Sequence, residues 1–211
     1  MGLDVRPANR QLVAVTIASR LYTVSRSRRT VTAIGSAPLT PALSGASFGF
    51  DFNPTVDRIR LVSDVGQDLR LNADSGAVAA TDKPLVYKAG DAGAGIGPAV
   101  LGSAYTSNVR GATTTTLYGI DTRRDALVIQ APPNDGVLST VGPLGANLAG
   151  PLGFDISARD GVAYVLARRS GTARPRLFKL DLMTGRAKPI AAIGKAPSLV
   201  AFAALTAPKA G

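Results

Sequence analysis

The sequence of 211 residues predicts an all-β protein, a β-propeller of four to five blades with about 50 residues in each blade. Helical periodicity is nearly absent, and short alternating apolar runs are interrupted by Gly, Pro, Asn or Asp at intervals of roughly 6–12 residues. Two sequence elements also recur with the same long spacing. A lone four-stranded sheet cannot bury both of its faces, so repeated units of this length are expected to stack around an axis.

The first repeated element is a tetrad of Gly, an apolar residue, Asp and a second apolar residue. It occurs at residues 2–5, 49–52 and 153–156, and weaker copies occur at 103–106 and 200–203. Glycine at the head of the tetrad suits an inner strand, where neighbouring backbones approach closely. The tetrads therefore predict the innermost strand of each blade.

The second repeated element is an alternating strand that begins at Leu21, Leu69, Leu117 or Leu177, followed by a turn and a further strand. Because both elements recur with the same spacing, the sequence predicts one domain with repeats at about 2–48, 49–102, 103–152 and 153–199, and a terminal strand at 200–205. The clearest strands are predicted at residues 11–17, 20–24, 30–34, 58–63, 68–72, 117–121, 126–130 and 177–181. Long loops rich in Gly and Pro are predicted at 89–102, 131–136 and 142–151.

The terminal strand leaves two arrangements open: a four-bladed ring with an overhanging strand, or a fragment of a five-bladed ring that is incomplete at its N-terminus. A β-sandwich with fortuitous spacing is the competing fold. An unpaired apolar strand at 200–205 would favour self-association through its free edge.

Composition excludes several kinds of chemistry. The chain has no His and no Cys, which excludes thiolate or imidazole metal sites, His-based acid–base catalysis and disulfides. Lys and Arg total 24 against 14 Asp and Glu, a net charge of +10 that favours an anionic small molecule or polymer as partner. The arginine clusters at 26–29, 123–124 and 168–176 fit solvated turns better than a polyanion-binding face. We expect no membrane span, and the N-terminal residues lack the apolar region of a signal peptide.

The repeated aspartates Asp4, Asp51 and Asp155 are the first candidate site. On innermost strands they would recur near the axis, where three carboxylates could collect a hard cation such as Ca²⁺. The alternative role is structural, because each carboxylate could instead accept a backbone N–H of the next blade.

The most polar stretch of the chain is the second candidate site, with Asn53, Asp57, Arg58, Arg60, Asp64 and Arg70 as its ligand-binding residues. Strand alternation places Arg58 and Arg60 on one side, where they could hold a carboxylate, sulfate or phosphate. The alternative is an Asp–Arg network between blades, with Asp51 or Asp64 paired to Arg58 or Arg70.

The sequence resembles an uncharacterised bacterial family, domain of unknown function 4394, at residues 2–9, 48–64, 67–72, 116–121, 132–136 and 153–156. The resemblance implies a propeller-like fold, no established activity and an extracytoplasmic location. Two departures from the family pattern stand out. Relatives have a further segment before the first tetrad, and residues 26–29 of this chain stand where the family pattern has a Gly-containing turn.

The function expected from these observations is a non-enzymatic binding or scaffolding module for a polar or anionic ligand, without a cofactor. The alternative is a Ca²⁺-dependent hydrolase or lactonase-like enzyme in which the axial aspartates hold the metal as a Lewis acid.

Overall fold

Four antiparallel sheets are arranged as a four-bladed β-propeller in the computed structural model, which describes residues 1–194 and 201–205. In each blade four strands follow chain order, with the predicted tetrad strand at one edge of the sheet, and in the third sheet a fifth, two-residue strand from earlier in the chain lies at the opposite edge. Among the described residues there is no α-helix, and Pro133–Asp135 forms a short 3-10 helix. That part of the chain accordingly contains no helix with the length and apolar character needed to cross a bilayer.

The strands of blade 1 are β1 (Gly2–Val5), β2 (Leu12–Val15), β3 (Leu21–Ser25) and β4 (Thr30–Ile34). Those of blade 2 are β5 (Phe48–Asn53), β6 (Arg58–Ser63), β7 (Asp68–Leu71) and β8 (Val78–Thr81). Blade 3 consists of β10 (Val100–Tyr105), β11 (Leu117–Asp121), β12 (Ala126–Gln130) and β13 (Val137–Pro143), with β9 (Val86–Tyr87) parallel to β13. Blade 4 consists of β14 (Leu148–Ile156), β15 (Ala163–Arg169), β16 (Pro175–Leu180) and β17 (Ala187–Ala192).

The predicted loops are less accurate than the predicted strands. All eight predicted strands overlap observed ones, but the loop predicted at 142–151 is wrong, because β14 already begins at Leu148. A register shift between Ala149 and Gly153 absorbs the Gly and Pro residues that suggested a loop. The loop predicted at 89–102 also ends early, since β10 begins at Val100.

The third tetrad copy begins one residue earlier than predicted, at Gly102. A Cβ atom on Gly49 would lie 2.9 Å from the carbonyl carbon of Gly102, so these two glycines face each other across adjacent inner strands. The predicted copy at 103–106 had Ala104 in the second position, whereas in the structure Ala104 occupies the aspartate position. Blade 3 thus lacks the repeated carboxylate.

Apolar clusters fill the spaces between blades, and they differ in size. Blades 1 and 2 share a cluster that includes Phe50 and Ile59, and blades 3 and 4 share one of fifteen buried residues that includes Phe154. Between blades 2 and 3 the cluster has only six buried residues, among them Val62 and Val128. Polar side chains complete this third interface.

Residues 201–205 do not form the predicted terminal strand, and residue 200 lies outside the described residues. The segment instead packs along blade 4, where a Cβ on Gly153 would lie 2.3 Å from the Cβ of Phe202. Leu205 lines a groove on blade 1 together with Val5 and Leu12. The segment therefore lies between blades 4 and 1, where a following inner strand would lie, without the ladder partners that define a strand.

We expect Gly49→Ala to destabilise the protein by about 2–3 kcal/mol, because the added methyl group would lie 2.8 Å from the backbone nitrogen of Ser103. Urea unfolding followed by circular dichroism measures the effect. Gly97→Ala is the matched control, since its Cβ would have only Arg123 at 3.8 Å. A Gly49→Ala protein as stable as the control would show that the inner strands are not in close contact.

Candidate functional site

A buried ion-pair network occupies the interface between blades 2 and 3. Arg60, in the middle of β6, is 2% exposed. Its Nη1 donates to Asp68 Oδ1 at 2.6 Å and to Asp82 Oδ2 at 2.6 Å. Its Nη2 donates to Asn134 Oδ1 of blade 3 at 2.7 Å. Arg60 thus links the two blades where the apolar cluster is smallest.

Two further side chains complete the network. Arg70 donates from Nε and Nη2 to the two oxygens of Asp82, at 2.8 and 2.9 Å. Gln130 of blade 3 donates from Nε2 to Asp68 Oδ2 at 2.6 Å. Burial raises the pKa of Asp68 to about 6, while the Arg60 guanidinium acts in the opposite direction. Asp68 and Asp82 therefore already accept hydrogen bonds from side chains of the protein.

A polar pocket opens beside this network, where β5 ends and β6 begins. We call it the arginine pocket, and its volume is about 170 Å³. The lining residues are Asn53, Val56, Arg58, Ile59, Arg60 and Arg70 from blade 2, and Tyr105, Pro133 and Asn134 from blade 3.

Two buried polar atoms of the arginine pocket have no hydrogen-bond partner. They are the Nε of Arg60 and the hydroxyl of Tyr105. Tyr105 is 2% exposed, and burial raises the pKa of its hydroxyl, so the phenol is protonated at neutral pH. The half-buried Arg58 donates to the carbonyl oxygen of Asp57 at 3.1 Å. The pocket is therefore lined by hydrogen-bond donors: the half-buried Arg58, and the side chains of Arg60 and Tyr105, which interact with each other and lie buried beneath it.

Four of the six predicted ligand-binding residues line the arginine pocket: Asn53, Arg58, Arg60 and Arg70. The structure does not bring Asp57 and Asp64 to it.

Asp57 faces blade 1, where it accepts hydrogen bonds from Arg6 Nε at 2.9 and 3.1 Å. Asp64 follows the opposite end of β6 and accepts the backbone N–H of Ala46 at 3.0 Å. Five residues of extended chain lie between Arg58 and Asp64, so Asp64 cannot reach the pocket.

The Asp–Arg pairs also differ from the predicted ones. Arg70 pairs with Asp82 rather than with Asp51 or Asp64, and Arg58 has no carboxylate partner among the ion pairs of the described residues. Sequence reasoning missed Tyr105 and Asn134, which blade 3 contributes. Asn134 lies in the family-like run 132–136, which was the available signal for it.

The three repeated aspartates form a second cluster, which we call the axial triad. One oxygen from each of Asp4, Asp51 and Asp155 lies within 4.8 Å of the others. Asp4 Oδ2 accepts the N–H of Phe52 at 2.9 Å, and Asp51 Oδ2 accepts that of Tyr105 at 2.7 Å.

Asp155 Oδ2 accepts the N–H of Ala204 in the same way. Each acceptor bond joins one inner strand to the next inner segment, as the structural alternative predicted. Ala104 interrupts the series between blades 3 and 4.

The axial triad is buried without a basic partner among the described ion pairs. The three carboxyl groups are 1–3% exposed. Burial, followed by the repulsion of neighbouring carboxylates, raises the pKa of Asp4 and of Asp51 well above the ordinary value. Burial also raises the pKa of Asp155 to about 6. The Oδ1 atoms of Asp51 and Asp155 have no hydrogen-bond partner.

The fold and the pocket together define a class: a β-propeller domain with a polar site between two of its blades. The chain belongs to the DUF4394 family, a domain of unknown function whose model matches residues 1–203. This match confirms the resemblance of the sequence motifs. No curated protein matches the chain.

Solved structures show the same fold at low identity. A structural genomics protein of unknown function from Bacteroides thetaiotaomicron is 16% identical with a TM-score of 0.55, and the match covers 89% of this chain and 46% of that chain. Glutaminyl cyclase from Myxococcus xanthus is 12% identical with a TM-score of 0.53, and the match covers 90% of this chain and 73% of that one. This chain thus spans less than half the length of the Bacteroides protein.

We expect Arg60→Met to destabilise the protein by about 3–5 kcal/mol at pH 8, because it leaves Asp68 buried and unpaired. The loss should be smaller at pH 5. A carboxyl group whose pKa is higher in the folded than in the unfolded state lowers stability as the pH rises above its pKa in the unfolded state. Asp68 is such a group, and its protonation at low pH removes the unpaired charge. Urea unfolding at both pH values measures the difference.

Arg58→Met is the control for Arg60→Met, since Arg58 has no described carboxylate partner, and its effect should stay within about 0.5 kcal/mol. Equal stability losses in the two variants, or a loss for Arg60→Met that does not change between pH 5 and pH 8, would contradict the assigned network.

Proposed function

We propose that this domain is a non-enzymatic binding module that takes a small anionic ligand in the arginine pocket. The observation that carries the proposal is the pair of buried, unpartnered donors, Arg60 Nε and the Tyr105 hydroxyl, beside the half-exposed guanidinium of Arg58. Buried donors without partners cost stability, and an oxyanion in the pocket would satisfy both.

The electrostatic balance of the pocket favours an anion. Three guanidinium groups line it, and the carboxylates of Asp68 and Asp82 lie behind them in ion pairs. One positive charge therefore remains in excess, and it belongs to Arg58, which has no carboxylate partner among the described ion pairs. A planar guanidinium pairs with carboxylate, sulfate or phosphate through two parallel hydrogen bonds.

The side chains of the pocket suit binding better than catalysis. Its described lining residues are Asn, Val, Arg, Ile, Tyr and Pro, and none of them is a carboxylate or a nucleophilic Ser or Thr. The nearby carboxylates of Asp68 and Asp82 already accept hydrogen bonds from guanidinium groups, so their oxygens are not free to act as a general base in the pocket. A volume of about 170 Å³ suits a ligand with a single anionic group.

We expect Arg58→Gln to weaken binding of a small oxyanion about tenfold or more, because it removes the charged donor. Isothermal titration calorimetry with phosphate, sulfate, acetate and succinate at low salt provides the measurement. Arg159→Gln, an exposed arginine of blade 4, removes the same charge elsewhere and should leave the affinity unchanged. A wild-type protein that binds none of these anions, or equal losses in both variants, would refute the proposal.

Tyr105→Phe should change binding and stability in opposite directions. Removing the unpartnered hydroxyl relieves a buried unsatisfied group, so the ligand-free protein should be as stable as wild type or slightly more stable. The same change should weaken anion binding several-fold, since one donor is lost. Thermal unfolding with and without the best-binding anion tests both effects, and unchanged affinity would exclude the hydroxyl from the site.

A further inference from the structure

We propose that the axial triad, formed by Asp4, Asp51 and Asp155, binds a single calcium ion on the axis of the propeller. This site is separate from the arginine pocket, since it is built from the aspartates of three inner strands rather than from side chains between blades 2 and 3. The proposal assigns the carboxylates a second role besides their bonds to the next strand.

The spacing of the carboxylate oxygens fits calcium. Two oxygens on one Ca²⁺ ion, each at about 2.3–2.6 Å, lie at most about 4.6–5.2 Å apart. The three oxygens of the triad lie within 4.8 Å of one another, a separation that falls within this range. Mg²⁺ demands near-ideal octahedral geometry and gives up its water molecules reluctantly, so a buried cluster of three carboxylates suits Ca²⁺ better.

Free oxygen atoms remain in the cluster after the backbone bonds are made. Asp51 and Asp155 each use Oδ2 to accept an N–H group, and each keeps a buried Oδ1 without a partner. The two residues belong to blades that are not adjacent in the chain, so their oxygens come together only around the axis. An unpartnered carboxylate oxygen buried in such a cluster is a position for a cation.

The backbone bonds also hold the ligands in place before the ion arrives. Each aspartate lies on an innermost strand, and its N–H donor belongs to the next inner segment. A carboxylate fixed in this way loses little freedom on binding an ion, which favours affinity. Calcium takes oxygen ligands of this kind, and it would offset two negative charges in a cluster of three carboxylates that have backbone rather than basic partners.

Two other positions at the same level of the axis carry small side chains. Ala104 of blade 3 and Ala203 of the last described segment occupy the place that aspartate has in the other units. Water molecules could complete the coordination of the ion on these sides, since Ca²⁺ takes about 6–8 ligands.

A narrow recess lies where the inner strands begin. The first residues of the inner strands line it, among them Gly2, Gly49 and Gly153, and its volume of about 10 Å³ corresponds to about one water molecule. The aspartates follow these glycines by two residues, about 7 Å further along each strand.

The test begins with wild-type protein stripped of metal by a chelator and returned to chelator-free buffer at pH 7. Calcium chloride at a hundredfold excess over the dissociation constant should raise Tm by about 5–10 °C. Equilibrium dialysis should give one calcium per chain, and magnesium chloride should bind at least tenfold more weakly.

Asp51→Asn is the informative variant, because its amide oxygen can still accept the N–H of Tyr105 while the negative charge is lost. It should bind calcium at least tenfold more weakly and lose most of the Tm shift, and Asp155→Asn should do the same. Asp160→Asn, an exposed carboxylate in a turn of blade 4, is the matched control and should behave as wild type.

Two results would overturn the proposal. One is a wild-type protein that neither retains calcium in dialysis nor changes its Tm, which would leave the triad as a cluster that shares protons. The other is calcium binding that is equal in wild type, Asp51→Asn and Asp155→Asn, which would place the ion elsewhere. Neither result bears on anion binding by the arginine pocket, which is measured with different probes and variants.

Discussion

The bond from an inner-strand carboxylate to the backbone of the next inner strand is the constraint on which this structure depends. Asp4 and Asp51 each accept the N–H that lies three residues after the glycine of the following unit. Glycine at the head of the strand allows the approach, since a Cβ on Gly2 would lie 2.1 Å from Phe50 Cβ. Ala104 cannot form this bond, and the interface it faces contains the largest apolar cluster, of fifteen buried residues.

The interface between blades 2 and 3 combines the smallest apolar cluster with the most extensive ion-pair network. Buried ion pairs are often no more stabilising than apolar side chains of the same volume, so the network is better explained by what it positions. Asp68 and Asp82 hold the end of the Arg60 guanidinium, and its buried Nε is left without a hydrogen-bond partner. The same ion pairs neutralise the charge of Arg60 and leave the guanidinium of Arg58 available to an anion.

Local alternation made much of the candidate site predictable. Arg58 and Arg60 are separated by one residue in a strand, so their shared side followed from the sequence, and both line the arginine pocket. Their partners did not follow, because Asp82 comes after β8 and Asn134 comes from another blade. The one-residue error at Gly102 has a similar origin, since Ser103 also fits the spacing and only the contact with Gly49 decides the register.

The sequence by itself determined the all-β class, the repeat of inner strands, the absence of His and Cys chemistry and the family, because these depend on residue type and on spacing along the chain. The tertiary structure alone decided which aspartates meet on the axis, which carboxylates Arg60 and Arg70 pair with, and where residues 201–205 lie. These outcomes depend on the angle and distance between blades. That geometry is fixed by the packing of side chains that lie far apart in the sequence.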